Sequence, residues 1–323
     1  MDLKDVLKNI EKKYGKEAIA GKIEGIETVS TGSLVLDGAL GGGIAKGRLT
    51  ELYGANGSSK TTLAFSICAQ VQKLGKKVAY IDMEQSVDLF YAANIGVNVD
   101  IEKKDPTFYL SQPDSAEIGL EIIRESIKSP EVGIVVLDSI AALVPKAVID
   151  GEAGDAKIGL TARLLSSMIP TMLATAKRNG TILLFINQIR DSIGFFSGTT
   201  TPGGHATKFY SSQRIEVARI GNIKGKDEEV HSIKVKAKVV KNKIAPPFRN
   251  CQYTVRFGEG IDGVKELIDI AIDYNIISKK GAGWFTYGET KLGQGEENLI
   301  VLFKDNPELY EEIHKKVLDE INK

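Results

Sequence analysis

The chain has 323 residues with 42 basic and 42 acidic side chains, so no global field draws it to nucleic acid or an anionic surface; such binding needs a local patch. Cys68 and Cys251 are too few and too far apart for a disulfide framework or a cysteine metal centre, which suits a reducing cytoplasm. No apolar run is long enough to span a bilayer, and residues 1–20 are rich in Lys and Glu, without the apolar region of a secretory signal.

Leu3, Val6, Leu7, Ile10 and Tyr14 recur at helical spacing and predict a first helix. Its apolar stripe either packs on its own domain or docks on a neighbouring subunit. Residues 16–27 carry no strong period. From residue 31 to 258 strand and helix patterns alternate. Strands are expected at 48–53, 77–82, 107–110, 132–138, 181–187, 213–220, 231–241 and 251–257. Helices are expected at 60–74, 86–95, 114–128 and 158–179. The early alternation predicts βαβ units and a mostly parallel sheet; the closely spaced later strands predict antiparallel additions at one edge. Beyond Gly258-Glu259-Gly260 the character changes. A helix at 262–274, a short strand pair around 284–287 and a last helix from Pro307, N-capped by Asn306, predict a small α+β module. The expected division is thus 1–30, 31–258 and 259–323, in an α/β fold.

Between the first strand of the middle region and its helix lies Gly54-Ala55-Asn56-Gly57-Ser58-Ser59-Lys60-Thr61-Thr62. A glycine-rich turn there points successive backbone N–H groups into one concavity, and the positive end of the helix dipole faces the same spot. Lys60 is expected to reach the β- and γ-phosphates of a nucleotide, and the Thr61 hydroxyl to ligate Mg²⁺ between them. One position departs from the G-x-x-x-x-G-K-[ST] pattern: Ser59 precedes the lysine where the pattern has glycine.

Other strands of this region end in polar groups. The buried-type strand Ile134–Asp138 ends in a carboxylate, placing Asp138 to orient a Mg²⁺-bound water. The strand ending Asp82-Met83-Glu84 brings Glu84 where it can poise a water for attack on the γ-phosphate. The strand ending Asn187-Gln188 supplies amides suited to sensing that phosphate. After it, the run 189–205 combines glycines and hydroxyls with Ile193, Phe195 and Phe196. Exposed apolar side chains beside Arg190 fit insertion among nucleic-acid bases. A second loop, 149–156, is acidic. Lys234, Lys236 and Lys238 alternate on a strand and share one face.

Taken together, these segments resemble the bacterial RecA recombinase family over almost the whole chain. The matching stretches include 30–37, the phosphate loop, Ile81-Asp82-Met83-Glu84, 111–114, 137–143, 185–190, 239–248, 258–261, 291–295 and 304–308. The resemblance implies a P-loop NTPase core of RecA type, with an N-terminal oligomerisation helix and a C-terminal domain that gathers duplex DNA. It implies ATP and Mg²⁺ as cofactors and Glu84 as the catalytic glutamate. Gln188 would link the γ-phosphate to a DNA loop, and Lys241 and Lys243 would reach the ATP of the adjacent subunit. Asp88 and Tyr91 match positions near the adenine, and Phe209 a subunit contact.

Residues 149–158 and 189–204 match the family's two DNA loops. Ile158 and Ile193 would insert between base triplets, while Arg163, Arg190, Gly203 and Gly204 would hold the DNA backbone. The implied protein is a cytoplasmic, DNA-dependent ATPase that forms a helical filament on single-stranded DNA, pairs it with homologous duplex and exchanges strands, with no membrane role. A ring-forming motor of the same fold and a nucleotide-gated DNA binder with weak turnover remain alternatives. Besides Ser59, Val264 stands where the family commonly has a tyrosine, Pro170 and Ser192 replace basic residues, and the last helix is of mixed charge rather than acidic.

Overall fold

The structure is a computed structural model that describes residues 2–14, 25–100, 102–151, 159–191, 199–225 and 228–321. Helix α1 spans Leu3–Tyr14, and the expected period holds at Val6 and Ile10, half-buried between exposed Asp5, Lys8 and Glu11. Strands β1 (Thr28–Val29) and β2 (Ile44–Ala45) pair antiparallel around helix α2 (Leu34–Leu40). Leu34, Val35 and Leu36 are consecutive and show no helical period, so α2 escapes a sequence reading; its signal is the cap, where the Ser33 side chain accepts from Leu36 N.

The middle region runs β3 (Leu49–Gly54), α3 (Lys60–Lys73), β4 (Lys77–Asp82), α4 (Leu89–Ile95), β5 (Phe108–Ser111), α5 (Ala116–Ser126) and β6 (Val132–Asp138). It continues through α6 (Lys146–Ile149), α7 (Leu160–Asn179), β7 (Ile182–Gln188), β8 (Arg190–Asp191), β9 (Thr199–Thr200) and α8 (Ala206–Tyr210). Long strands β10 (Gln213–Lys224), β11 (Val230–Asn242) and β12 (Asn250–Arg256) follow, with β13 (Gly260–Ile261). One sheet of nine strands takes the order β13-β12-β11-β10-β3-β7-β6-β4-β5. From β10 to β5 neighbours are parallel, while β10, β11, β12 and β13 pair antiparallel, as the spacing predicts. Helix α4 starts three residues later than the pattern suggests, because Asp88 caps it by accepting from Phe90 N and Tyr91 N.

Both faces of the sheet are covered. On one, α3 packs Leu63, Phe65, Ile67 and Val71 onto β3, β4, β6 and β7; on the other, α5 and α7 bury Leu120, Ile123, Leu165 and Ile169. Each such side chain contributes roughly 1.5–3 kcal/mol. Phe65, Tyr80 and Phe108 form an aromatic stack at 5.2 and 5.9 Å between centroids, fixing α3 over β4 and β5.

The last elements are α9 (Gly263–Asp273), β14 (Ile277–Lys280), β15 (Trp284–Tyr287), β16 (Thr290–Gln294), α10 (Glu296–Asp305) and α11 (Pro307–Ile321). The expected strand pair is a sheet of three. In β14 only Ile277 is buried, so no alternation marks it. Helix α10 is likewise unforeseen. Asn306 does not cap α11 with its side chain; its amide donates to Leu302 O at 3.0 Å, closing the end of α10, and only its backbone oxygen receives Tyr310 N. This module has its own core of Leu267, Ile268, Phe285, Leu299, Phe303, Ile313 and Val317, against which Leu34 and Val35 of α2 also pack.

A carboxyl group joins the module to the middle region. Glu266 of α9 is 6 % exposed and accepts from Ser33 Oγ at 3.0 and 2.9 Å. Burial, offset in part by Ser33, pushes its pKa up to about 8. A carboxyl held neutral in the fold but ionised when unfolded favours the fold at low pH and loses that advantage as pH rises from about 4.5 through 8. Glu266→Gln, which stays neutral throughout, is therefore expected to gain thermal stability over the parent progressively between pH 5 and pH 9. Melting curves followed by circular dichroism check this, and a Tm gap independent of pH would sink it.

Candidate active site

The parallel register brings the chemistry to one edge. Gly54 at the end of β3 lies beside Gln188 at the end of β7, and Asp82 of β4 beside Asp138 of β6. The loop 54–59 opens from that edge into α3, with Ala55, Asn56 and Gly57 exposed and Ser58 buried. Lys60, 8 % exposed, folds back over the loop, donating to Ala55 O at 2.8 Å and Gly54 O at 3.2 Å. Burial lowers its pKa, and the charges of Asp138 and Glu84 raise it. Thr62 shares a hydrogen bond of 2.6 Å with the Tyr91 hydroxyl, tying α3 to α4. Asp88 is exposed and spent on the α4 cap.

Asp138 Oδ2 accepts from Thr61 Oγ1 at 3.0 Å and from the Tyr80 hydroxyl at 2.6 Å. Burial pushes the Asp138 pKa up to about 6, against the lowering effect of those donors. Two residues beyond Asp82, Glu84 is exposed and its Oε1 accepts from Ser139 Oγ at 2.5 Å and from Gln188 Nε2 at 2.9 Å. Asp82 is 1 % exposed and accepts from Val87 N and Gln112 Nε2 through Oδ2, while Oδ1 finds no partner among the described residues. Asp138 and Glu84 thus gather near Lys60, with Asp82 beside Asp138, each held by neutral donors. A hydroxyl beside a carboxylate is a hard-oxygen donor set, and with an ammonium over a loop of backbone N–H groups it fits a nucleotide triphosphate with a divalent cation.

Asn187, expected beside Gln188 as a phosphate sensor, is otherwise committed. Its amide donates to Glu51 Oε1 at 3.0 Å and to Pro202 O at 3.1 Å. Ser139 and Tyr80 were absent from the sequence-derived site. Ser139 directly follows a strand-end carboxylate, which is a usable signal, whereas Tyr80 reads as an ordinary strand aromatic.

Lys241 and Lys243 lie at the end of β11 and just beyond it. The Lys241 ammonium donates to Lys208 O at 2.7 Å and Phe209 O at 2.9 Å, closing the end of α8, and Lys243 is exposed. Burial lowers the Lys241 pKa, as do the charges of Lys243 and Arg214. Phe209 is 70 % exposed beside them. Arg163 is exposed on the first turn of α7. Gly203 and Gly204 have φ of +87° and +72° and lie against α7. An added Cβ on Gly203 would meet Ile140 and Leu165, and one on Gly204 would meet Ala162, each at 2.8 Å. Arg190 belongs to β8, although its side chain lies outside the described residues, as do Ile158, Ser192, Ile193, Phe195 and Phe196. Lys234, Lys236 and Lys238 are exposed along one face of β11. Val264 is half-buried against the C-terminal core, and Pro170 lies on the exposed side of α7.

The family model for the RecA N-terminal domain matches residues 1–262, and that for the RecA C-terminal domain matches 265–322. Curated proteins named Protein RecA are similar over nearly the full length. That of Nautilia profundicola is 48 % identical, covering 97 % of this chain and 89 % of the relative. That of Thermus aquaticus is 45 % identical, covering 99 % and 94 %. Among solved structures, the RadB recombinase superposes with a TM-score of 0.55 at 23 % identity, over 72 % of this chain and 98 % of that one, and speaks for the fold.

Ser59 has left-handed backbone angles, φ 67° and ψ 27°, and its hydroxyl donates to Ser58 O at 2.6 Å rather than capping α3. A side chain in that region costs about 1–2 kcal/mol that glycine avoids. Ser59→Gly is expected to raise ATP affinity or DNA-stimulated turnover about fivefold, the equivalent of about 1 kcal/mol. Titration with a fluorescent ATP analogue and steady-state hydrolysis check this; a loss of both would show the serine to be a phosphate ligand.

Proposed function

Because this chain belongs to the RecA family, we infer that it is a DNA-dependent ATPase that assembles on single-stranded DNA and catalyses homologous pairing and strand exchange, in recombination, repair and the response to DNA damage. The full-length match to both RecA domains favours this over a ring motor that shares only the ATPase core. One observation carries the mechanism: Gln188, at the root of the segment 189–204, hydrogen-bonds directly to Glu84.

ATP would sit on the loop 54–62, its phosphates held by backbone N–H groups and by Lys60, with Asp88 and Tyr91 near the adenine. A Mg²⁺ ion bound by Thr61, with Asp138 acting through water, would supply charge neutralisation for the phosphates. Glu84 accepts the proton of the attacking water. While Oε1 receives both Ser139 and Gln188, that oxygen is engaged and not aimed at a water. Movement of the Gln188 amide to the γ-phosphate would release Glu84 to act as base, and DNA held on the loop that follows Gln188 would bias that movement. Positioning and electrostatics supply most of the barrier reduction in phosphoryl transfer to water.

Lys241 and Lys243 would complete the site on a neighbouring protomer, with residues 1–30 docking on the next subunit along a filament. Within 31–258, Arg163, Arg190, Gly203 and Gly204 would hold the DNA backbone, and Ile158, Ile193, Phe195 and Phe196 would contact bases. Residues 259–323 would gather duplex DNA. Among the described residues no helix is long and apolar enough to cross a membrane, and the cytoplasm is the proposed location. Weak protomer sites adding along one strand account for a DNA binder with equal numbers of acidic and basic residues.

Electron microscopy with single-stranded DNA and a slowly hydrolysed ATP analogue tests the assembly: extended helical filaments are expected, and closed rings would favour the motor. Glu84→Gln should keep ATP and DNA binding while losing at least a hundredfold in turnover, a factor typical of a general base. Parent-level hydrolysis by that variant would remove Glu84 from the role of base. Lys243→Ala should impair DNA-stimulated hydrolysis and filament assembly together with an unchanged monomer Tm. Normal hydrolysis would argue against a site shared between protomers.

A further inference from the structure

Glu51 is a charged residue in the middle of a central strand, fully buried at 0 % exposure, with no contact to the phosphate loop's own hydrogen bonds. A carboxylate in such a place is unfavourable unless every lone pair is used. Its two oxygens divide between two partners. Oε1 accepts from Asn187 Nδ2 at 3.0 Å, and Oε2 from Arg214 Nε at 2.6 Å.

Each partner leads to a different part of the machinery. The second N–H of the Asn187 amide reaches Pro202 O at 3.1 Å, and Asn187 Oδ1 receives Gln188 N at 3.0 Å. One amide therefore fixes both the residue that bonds Glu84 and the returning stem that carries Gly203 and Gly204. Arg214 lies over the Tyr53 ring at 4.7 Å and is in cross-strand register with Lys241 on β11. Arg214, Lys241 and Lys243 form a positive cluster in which Glu51 is the buried counter-charge: Arg214 and Lys243 lower the Lys241 pKa, and Glu51 raises it.

We propose that Glu51 is a positioning residue that couples the three moving parts of this ATPase: the Gln188 amide, the stem of the following loop at Pro202, and the lysines at the end of β11. It touches neither nucleotide nor DNA. Its carboxylate holds Asn187 and Arg214 in one arrangement, so that displacement of the Pro202 stem is transmitted to Gln188 and to Lys241 rather than absorbed by slack. The inference rests on the functional reading above.

Glu51→Gln tests it. The amide preserves volume and can still accept from Asn187, but removes the charge facing Arg214. Expected are an affinity for a fluorescent ATP analogue without DNA within twofold of the parent, and a DNA-stimulated kcat reduced about tenfold. The DNA concentration for half-stimulation should rise by a similar factor, with little change in KM for ATP. Arg214→Gln lies nearer the surface and should show the same split, so it decides the matter if Glu51→Gln does not fold. Parent-like stimulation in a folded variant would overturn the coupling alone. So would a loss of ATP binding and stimulation in equal proportion, which would mark a merely structural role. A parent that hydrolyses ATP without any response to DNA would overturn the functional reading, and the coupling with it.

Discussion

The register of the parallel strands is the constraint on which everything else depends. Because β3, β7, β6 and β4 run side by side in parallel, with Gly54 level with Gln188 and Asp82 level with Asp138, these residues arrive at one edge without any loop having to carry them there. A slip of one residue in any of these pairings would move buried side chains such as Leu184 or Val136 into the core on the opposite face, shaped for other residues, and take a site residue with them. The aromatic stack of Phe65, Tyr80 and Phe108 secures the same edge from below, since it places the Tyr80 hydroxyl on Asp138. Core packing and site geometry are one set of contacts here.

That edge is electrostatically unbalanced when the protein stands alone. Glu84 and Asp138, with Asp82 beside Asp138, act on the buried Lys60 ammonium, which is itself turned onto Gly54 O and Ala55 O. Neutral donors hold each carboxylate in place without cancelling its charge, and burial accordingly draws Asp138 toward its protonated form. Such a site favours a ligand that brings its own cation, because the cation meets oxygen donors already arranged and the phosphates meet Lys60. Preorganisation of this kind puts the unfavourable gathering of charge into the folding of the protein rather than into each round of binding.

Much of this was legible in the sequence, and the exceptions have physical reasons. Strands with buried apolar runs, such as 132–138 and 182–188, announced themselves, and so did the long helices α3 and α7. Of the helices shorter than two turns only α4 was legible: α2 opens on three consecutive apolar residues that show no period, and α6 and α8, of four and five residues, offer too few. The strand β14 hid behind exposed lysines. In the candidate site, residue types whose chemistry stands out at or beside strand ends (Glu84, Asp138 and Gln188) and at the start of α3 (Lys60) could be picked out as candidates. Contacts that depend on which strand neighbours which could not: nothing in the chain announces that Glu51 meets Asn187 and Arg214, residues 136 and 163 positions away. Even so, an acid within an apolar central strand was a visible anomaly.

The family models divide this chain near residue 263, but the packing does not. Helix α2 lies early in the chain, yet Leu34 and Val35 pack on the last module and its capping serine hydrogen-bonds to Glu266. Asp262, just before that boundary, pairs with Arg256 of β12 at 2.6 Å and also accepts from Lys265 N beyond it, at 3.2 Å. Removing the final sixty residues would leave two apolar side chains bare and a buried hydroxyl without its acceptor, on the helix that also supports β12. The C-terminal piece is thus a graft whose connections run through the host: its own core is complete, but a buried hydroxyl, a helix cap and two apolar side chains tie it to the strands before it.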